Sequence, residues 1–93
     1  MRPEVSVIIP LFNAAATIRH TLESLTDRSE VALEAIVVND GSTDGGAKIA
    51  EQNARVDARI RVISQSNQGL AAARNTGIAA SRGEFLHFLD ADD

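Results

Sequence analysis

Hydrophobic residues along the chain gather into four short runs spaced about 25 residues apart, at residues 5–9, 35–38, 60–63 and 85–89. Each run is rich in β-branched or aromatic side chains, as strands are. The first, second and fourth are nearly continuous, which predicts strands covered on both faces. The third alternates, with Arg61 directed away from the core, and fits the edge of a sheet.

Helical spacing fills the intervals. Ile18, Leu22 and Leu25 form one apolar stripe at i, i+4, i+7. Ala47, Ala50 and Ala54 repeat that spacing, with Ile49 and Val56 widening the buried face. Residues 69–80 are alanine-rich and helix-favouring, and Ala73 and Gly77 at i, i+4 would let this helix lie close against a sheet. Gly83 follows as a helix stop. The order β-α-β-α-β-α-β predicts an α/β fold, a three-layer parallel sheet with right-handed crossovers. Ligands of such sheets bind beyond the carboxyl ends of the strands, so the segments after each strand carry the candidate chemistry.

After the first strand come Pro10, Phe12 and Asn13. Proline interrupts a central ladder, so the chain is expected to leave the sheet there and expose Phe12 and Asn13. An ordinary strand end with an Asn turn explains the same residues. After the second strand, Asp40-Gly41 makes a turn and Ser42, Thr43 or Asp44 can cap the following helix. Asp40 stands at the strand's carboxyl end, where its oxygens could accept an N–H from a ligand base. After the third, the helix start at Gln68-Gly69 offers N–H groups and a positive dipole end to an anion. Arg74 lies one to two turns in, where it either faces the crevice or is a solvated surface arginine.

After the fourth strand, Asp90-Ala91-Asp92-Asp93 concentrates negative charge. In extended backbone the first and third residues of Asp-x-Asp share a face. Mg²⁺ and Mn²⁺ favour such sites, with one or two carboxylates and substrate phosphates completing the shell. His87, on what reads as a buried strand, is expected to be a hydrogen-bonded core residue.

Composition narrows the classes. Ninety-three residues make one small domain at most. A net charge of −4 with dispersed Lys and Arg gives no surface for nucleic acid. The chain has no cysteine, so disulfides and thiolate metal sites are excluded, and two separated histidines do not make a zinc site. The apolar runs are too short for a membrane span and the amino terminus does not resemble a secretory signal, so a cytoplasmic location is the expectation.

Taken in order, residues 5–13, residues 37–45, Asn67-Gln68-Gly69 with residues 73–77, and residues 88–93 resemble the family 2 glycosyltransferases, nucleotide-sugar-dependent enzymes of GT-A fold. The likeness spans essentially the whole chain. It implies a Rossmann-like sheet that forms the N-terminal half of a GT-A nucleotide-diphospho-sugar transferase, with residues 1–93 as the donor-binding part, truncated at Asp-x-Asp. It implies that Pro10, Phe12 and Asn13 line the base and ribose pocket. It further implies that Asp40 reads the base, that Arg74 lies near the nucleotide, that Asp90 faces the ribose or donor sugar, and that Asp92 binds Mn²⁺ or Mg²⁺. Asn39 stands where many members carry a second aspartate.

The implied reaction is inverting transfer of a sugar from a nucleotide-diphosphate sugar, most commonly a UDP-sugar, to an acceptor hydroxyl. The acceptor would be a saccharide or lipid-linked sugar, as in cell-envelope polysaccharide synthesis, and the full-length protein could work at the inner face of the membrane. General acid–base chemistry needs a group within reach of the acceptor proton, and these residues offer no catalytic candidate, so the isolated chain is expected to bind donor without transferring sugar. Two other readings compete. A nucleotidyltransferase-like domain would show a glycine-rich basic loop after the first strand, where Leu11-Phe12-Asn13-Ala14 stands instead. A truncated fragment would act only in folding and assembly, associating through the open sheet edge that the fourth strand presents.

Overall fold

Two nearly continuous apolar strands pair at the centre of a parallel sheet, and the weaker runs flank them. The computed structural model describes residues 3–27 and 32–91. Its elements are β1 (Val5–Leu11), α1 (Ala15–Thr26), β2 (Leu33–Asp40), α2 (Gly46–Val56), β3 (Ile60–Gln65), α3 (Leu70–Ala80) and β4 (Phe85–Phe88). The strand order is β3-β2-β1-β4, and every pairing is parallel. This is the α/β architecture the sequence predicts.

Strand alternation divides the core in two. Val7, Ile9 and Leu11 of β1, with Ala35 and Val37 of β2, pack against Ile18 and Leu22 of α1 and Ala50 of α2. On the opposite face, Ile36 and Val38 pack with Ala73 of α3. Gly77 brings α3 against β1 as its spacing predicts: a Cβ there would lie 2.5 Å from Cγ2 of Ile8.

Several expectations are corrected. The chain does not leave the sheet at Pro10; β1 runs on to Leu11, with Pro10 opposite Val38 and Leu11 opposite Asn39. Proline is tolerated because even-numbered residues of β1 direct their backbone groups toward β4. Ile8 accepts the Leu89 N–H at 3.0 Å, and pairing with β4 ends at Ile8↔Phe88, so the missing N–H at Pro10 faces no strand partner.

The fourth strand is an edge rather than a buried strand. Phe85 is 60% exposed and Phe88 42%. His87 is exposed too, which removes its expected core role. The reason is position: among the described residues β4 pairs on one side only, with β1. Val56 is 86% exposed because it lies six residues past Ala50, roughly 120° around the helix from the buried stripe.

Arg61 is not directed away. It pairs with the buried Glu34 at 3.1 Å and donates to the carbonyl of Ala80, stitching β3 to the end of α3. Glu34 also accepts the Ser6 hydroxyl at 2.6 Å and the Arg82 N–H at 2.7 Å. Burial pushes the Glu34 carboxyl up, but the Ser6 and Arg82 hydrogen bonds and the Arg61 and Arg82 charges outweigh it and hold the group below the usual range.

Gly83 is not the helix stop. The last helical residue is Ala80, and Gly83 instead crosses β1 so closely that a Cβ would lie 2.6 Å from the Ser6 nitrogen.

Candidate functional site

The chain order β3-β2-β1-β4 means that connections from β1 and from β3 leave the sheet in opposite directions, which opens a crevice beyond the carboxyl ends of β1 and β4. A cavity of about 400 Å³ occupies this place. Pro10, Phe12, Asn13, Asp40 and Asp90 all line it, drawn from three strand ends that are far apart in sequence.

Asp40 is held on both of its carboxylate oxygens. It is 4% exposed, and its carboxylate accepts three hydrogen bonds. Oδ1 takes the Gln65 side-chain amide at 3.0 Å and the Gln68 N–H at 2.9 Å; Oδ2 takes the Gly69 N–H at 2.9 Å. The Gln65 amide, then the Gln68 and Gly69 N–H groups, hold its pKa below the ordinary value against the opposing effect of burial. The N–H groups expected to be open to an anion are therefore already bound to Asp40. A carboxylate has about four acceptor positions, so Oδ2 retains capacity for one further donor from the crevice.

Gln65 is fixed in turn. It lies beside Asp40 in the β2–β3 register, and its Oε1 accepts the Thr76 hydroxyl at 2.7 Å. The Asp40-Gly41 turn forms as expected, with Gly41 at φ +77° and a hypothetical Cβ there only 2.8 Å from the Asn67 nitrogen. Asn39 supports the turn, accepting the Ser42 N–H at 3.0 Å and donating to Ser64 at 3.3 Å.

Asn13 adopts φ +52°, a region Asn tolerates better than most residues. Its Oδ1 accepts the N–H groups of Thr43 at 2.8 Å and Asp44 at 3.3 Å, while its own N–H donates to Ser42 at 3.1 Å. Asp44 completes the latch. One oxygen accepts the Ala15 N–H at 3.0 Å and the other the Gly46 N–H at 2.9 Å, serving the amino ends of α1 and α2 together. Phe12 projects beside this latch, largely exposed, as an apolar wall.

Arg74 lies off the crevice lining, next to Ala73, which does line it. Its guanidinium carbon sits 5.7 Å from the Phe88 ring centroid, within cation–π range. Its buried Nε has no hydrogen-bond partner among the described residues. Asp90 is exposed at the mouth of the crevice, and no described residue hydrogen-bonds its carboxylate. Asp92, the expected metal ligand, lies outside the described residues.

Among the described residues no group of three or more His, Cys, Asp or Glu side chains could hold a metal. Asp90 nonetheless fits a hard cation, because Mg²⁺ and Mn²⁺ are commonly held by one or two carboxylates together with substrate phosphates. The sequence assigns no individual role in the site to Gln65 or Thr76, and to Asp44 only the helix cap that its bond to the Gly46 N–H partly fulfils. The signal for Gln65 was its place at a strand end level with Asp40; Thr76 and Asp44 carried none beyond helix and cap propensity.

A parallel sheet with its crevice at a switch point, Asp40 ending β2 and Asp90 following β4 define a Rossmann-like α/β ligand-binding fold. The chain belongs to glycosyl transferase family 2, whose model matches residues 6–93. It is 50% identical over 91 residues to EpsH of Bacillus subtilis (strain 168), covering 98% of this chain and 26% of that protein. The mannosyltransferase PcManGT of Pyrobaculum calidifontis, solved in complex with GDP-Man and Mn²⁺, is 30% identical with a TM-score of 0.88, over 99% of this chain and 28% of that one. The glucosyl-3-phosphoglycerate synthase of Mycobacterium tuberculosis, solved with Mn²⁺, UDP and glucosyl-3-phosphoglycerate, is 28% identical with a TM-score of 0.75, over 96% of this chain and 33% of that one. The chain thus spans about a quarter to a third of the length of these three proteins. No helix among the described residues is long and apolar enough to cross a membrane.

Proposed function

We propose that residues 1–93 form the donor-binding part of a metal-dependent glycosyltransferase that moves a sugar from a nucleotide-diphosphate sugar to an acceptor hydroxyl with inversion. The observation that carries this reading is the convergence of Pro10, Phe12, Asn13, Asp40 and Asp90 on one crevice, of a volume typical of small-molecule sites. Phe12 supplies a face for the base, and Oδ2 of Asp40 accepts a base N–H, as the imide of uracil would offer. Pro10 and Asn13 shape the ribose end. Arg74, just off the lining beside Ala73, lies near the nucleotide.

Asp92 would hold Mn²⁺ or Mg²⁺, with Asp90 facing the ribose or donor sugar; the cation would supply Lewis-acid stabilisation of the departing nucleoside diphosphate. The relatives solved with Mn²⁺ and with GDP-Man or UDP support this chemistry. A UDP-sugar is the preferred donor. A saccharide or lipid-linked acceptor, and a role in cell-envelope polysaccharide at the inner membrane face, follow the same reading. The base that takes the acceptor proton is assigned to no residue of this chain, so donor binding without transfer is the expected behaviour.

Calorimetric titration with UDP and GDP, in Mn²⁺ and in EDTA, tests the proposal. Metal-enhanced binding that is lost in Asp40→Ala and Asp92→Ala supports it. A folded chain that binds neither nucleotide contradicts it.

The outer edge of β4 is a further point of contact. We propose that it pairs with the same edge of a second copy, since unpaired strand edges recruit strands and identical edges are self-complementary. Light scattering that shows a clean monomer at high protein concentration would refute this.

A further inference from the structure

We infer that Thr17 and Thr21 of α1 are positioning residues for the acidic turn that ends β4, an inference that rests on the donor-site reading above. The two hydroxyls stand one helical turn apart and converge on a single atom, the carbonyl oxygen of Ala91. Thr17 donates to it at 2.8 Å and Thr21 at 3.1 Å. A carbonyl oxygen has two lone pairs, and both are used. The Ala91 methyl is held as firmly: the residue is 4% exposed and belongs to the core cluster that contains Ile18 and Leu22.

Ala91 is the middle residue of Asp90-Ala91-Asp92. Fixing its carbonyl and its methyl fixes the backbone next to Asp90, whose carboxylate stays exposed at the crevice. The residue type supports a specific purpose. Threonine is a mediocre helix former, and within helices its hydroxyl commonly turns back to the carbonyl four residues earlier, as Thr26 does to Leu22 at 3.1 Å. Thr17 keeps only a long local contact, to the Ala14 carbonyl at 3.4 Å, and both hydroxyls reach across more than 60 residues of sequence to one carbonyl at shorter distance. Valine would fill the same space without a donor. The clamp would therefore set where Asp90 presents its carboxylate to a divalent cation, and it touches none of the residues that hold Asp40.

The test is the double variant Thr17→Val/Thr21→Val, with Thr17→Ser/Thr21→Ser as the conservative control. UDP and GDP affinities are measured in Mn²⁺ and in EDTA, and Mn²⁺ alone is titrated by electron paramagnetic resonance. Outer-shell partners of metal ligands are typically worth 10–100-fold in metal affinity, so the Mn²⁺-dependent tightening should fall about tenfold or more in the valine variant. Binding in EDTA should stay at the wild-type level, and the serine variant should regain the metal response.

An unchanged metal response in the valine variant would overturn the inference, as would equal losses in Mn²⁺ and EDTA, which mark a merely structural role. If wild type binds neither nucleotide, the donor-site reading falls and the Mn²⁺ titration decides alone. Mn²⁺ held by wild type and released by the valine variant upholds the clamp; equal retention, or no Mn²⁺ held by wild type, refutes it. Should the double variant unfold, Thr17→Val alone must show a partial loss of the metal response for the inference to stand.

Discussion

Asp40 accepts the Gly69 N–H on Oδ2 at 2.9 Å, so the final residue of β2 holds the residue that precedes α3. With the Gln68 N–H and the Gln65 amide on Oδ1, one carboxylate ties together two strand ends and a helix start. The residue assigned to the base pocket also builds one wall of it.

This double duty has a pH signature. Unfolding frees Asp40 from Gln65, Gln68 and Gly69 and returns its pKa to the ordinary carboxylate value of about 4. The unfolded chain then binds the proton more tightly than the folded one. The stabilisation is full above that ordinary value and is lost as pH falls from it through the lower folded-state pKa. Urea unfolding followed from neutral pH down to about 3 should show Asp40→Asn with a shallower acid loss than wild type. Parallel curves would contradict the assignment.

Asn13 combines a positive φ with an acceptor, and two substitutions separate these roles. Asn13→Gly keeps the backbone at ease but leaves the Thr43 and Asp44 N–H groups without the Oδ1 partner. Asn13→Ala adds left-handed strain of about 1–2 kcal/mol. Thermal melts should rank wild type above Gly and Gly above Ala, and nucleotide affinity should fall in both variants. An alanine variant as stable as glycine would show that φ is not held at this value.

At Gly77 the close approach of α3 to β1 decides the outcome. A methyl group 2.5 Å from Cγ2 of Ile8 forces repacking at about 1–3 kcal/mol. The helix-propensity gain of alanine over glycine, about 1 kcal/mol, offsets only part of it. Gly77→Ala should therefore unfold at lower denaturant concentration, and trimming the partner in Ile8→Ala/Gly77→Ala should give less than the sum of the two single losses. Strict additivity would contradict the contact.

Glu34 is the hub of the polar cluster at the opposite end of the sheet from the crevice. Removing it in Glu34→Ala takes away the acceptor of the Ser6 hydroxyl and of the Arg82 N–H, and leaves Arg61 with the Ala80 carbonyl alone. Both arginine side chains are partly exposed, so the loss should be about 2–3 kcal/mol, below the range for fully buried pairs. Denaturant unfolding at neutral pH measures this, and nucleotide binding by the folded fraction should be unchanged. A loss of affinity there would mean that the cluster is coupled to the crevice.

Local pattern was sufficient for the element order. The runs at residues 5–9 and 35–38 are apolar on both faces because β1 and β2 are central, and the 3.6-residue period placed Ile18, Leu22, Ala50 and Ala73 inward. The same pattern misjudged residues 85–89, since continuous hydrophobicity registers the side chains and not the absence of a second neighbouring strand. Pro10 was misjudged for a related reason: whether a missing N–H matters depends on which neighbour it faces, and pairing partners are non-local. In the crevice, Asp40 and Asp90 were legible from their places at strand ends. The contacts of Thr17, Thr21 and Gln65 were not, because a hydroxyl or amide acquires its partner only when the chain closes.

The most direct test of the donor-site account is paramagnetic broadening of the chain's amide resonances by Mn²⁺ in the presence of UDP. The account predicts broadening centred on Asp90 and Ala91 and extending to residues 10–13, with a shift, metal or no metal, at Asp40, Gln68 and Gly69. Broadening centred elsewhere, or resonances of the crevice unmoved by UDP in a folded chain, would contradict it.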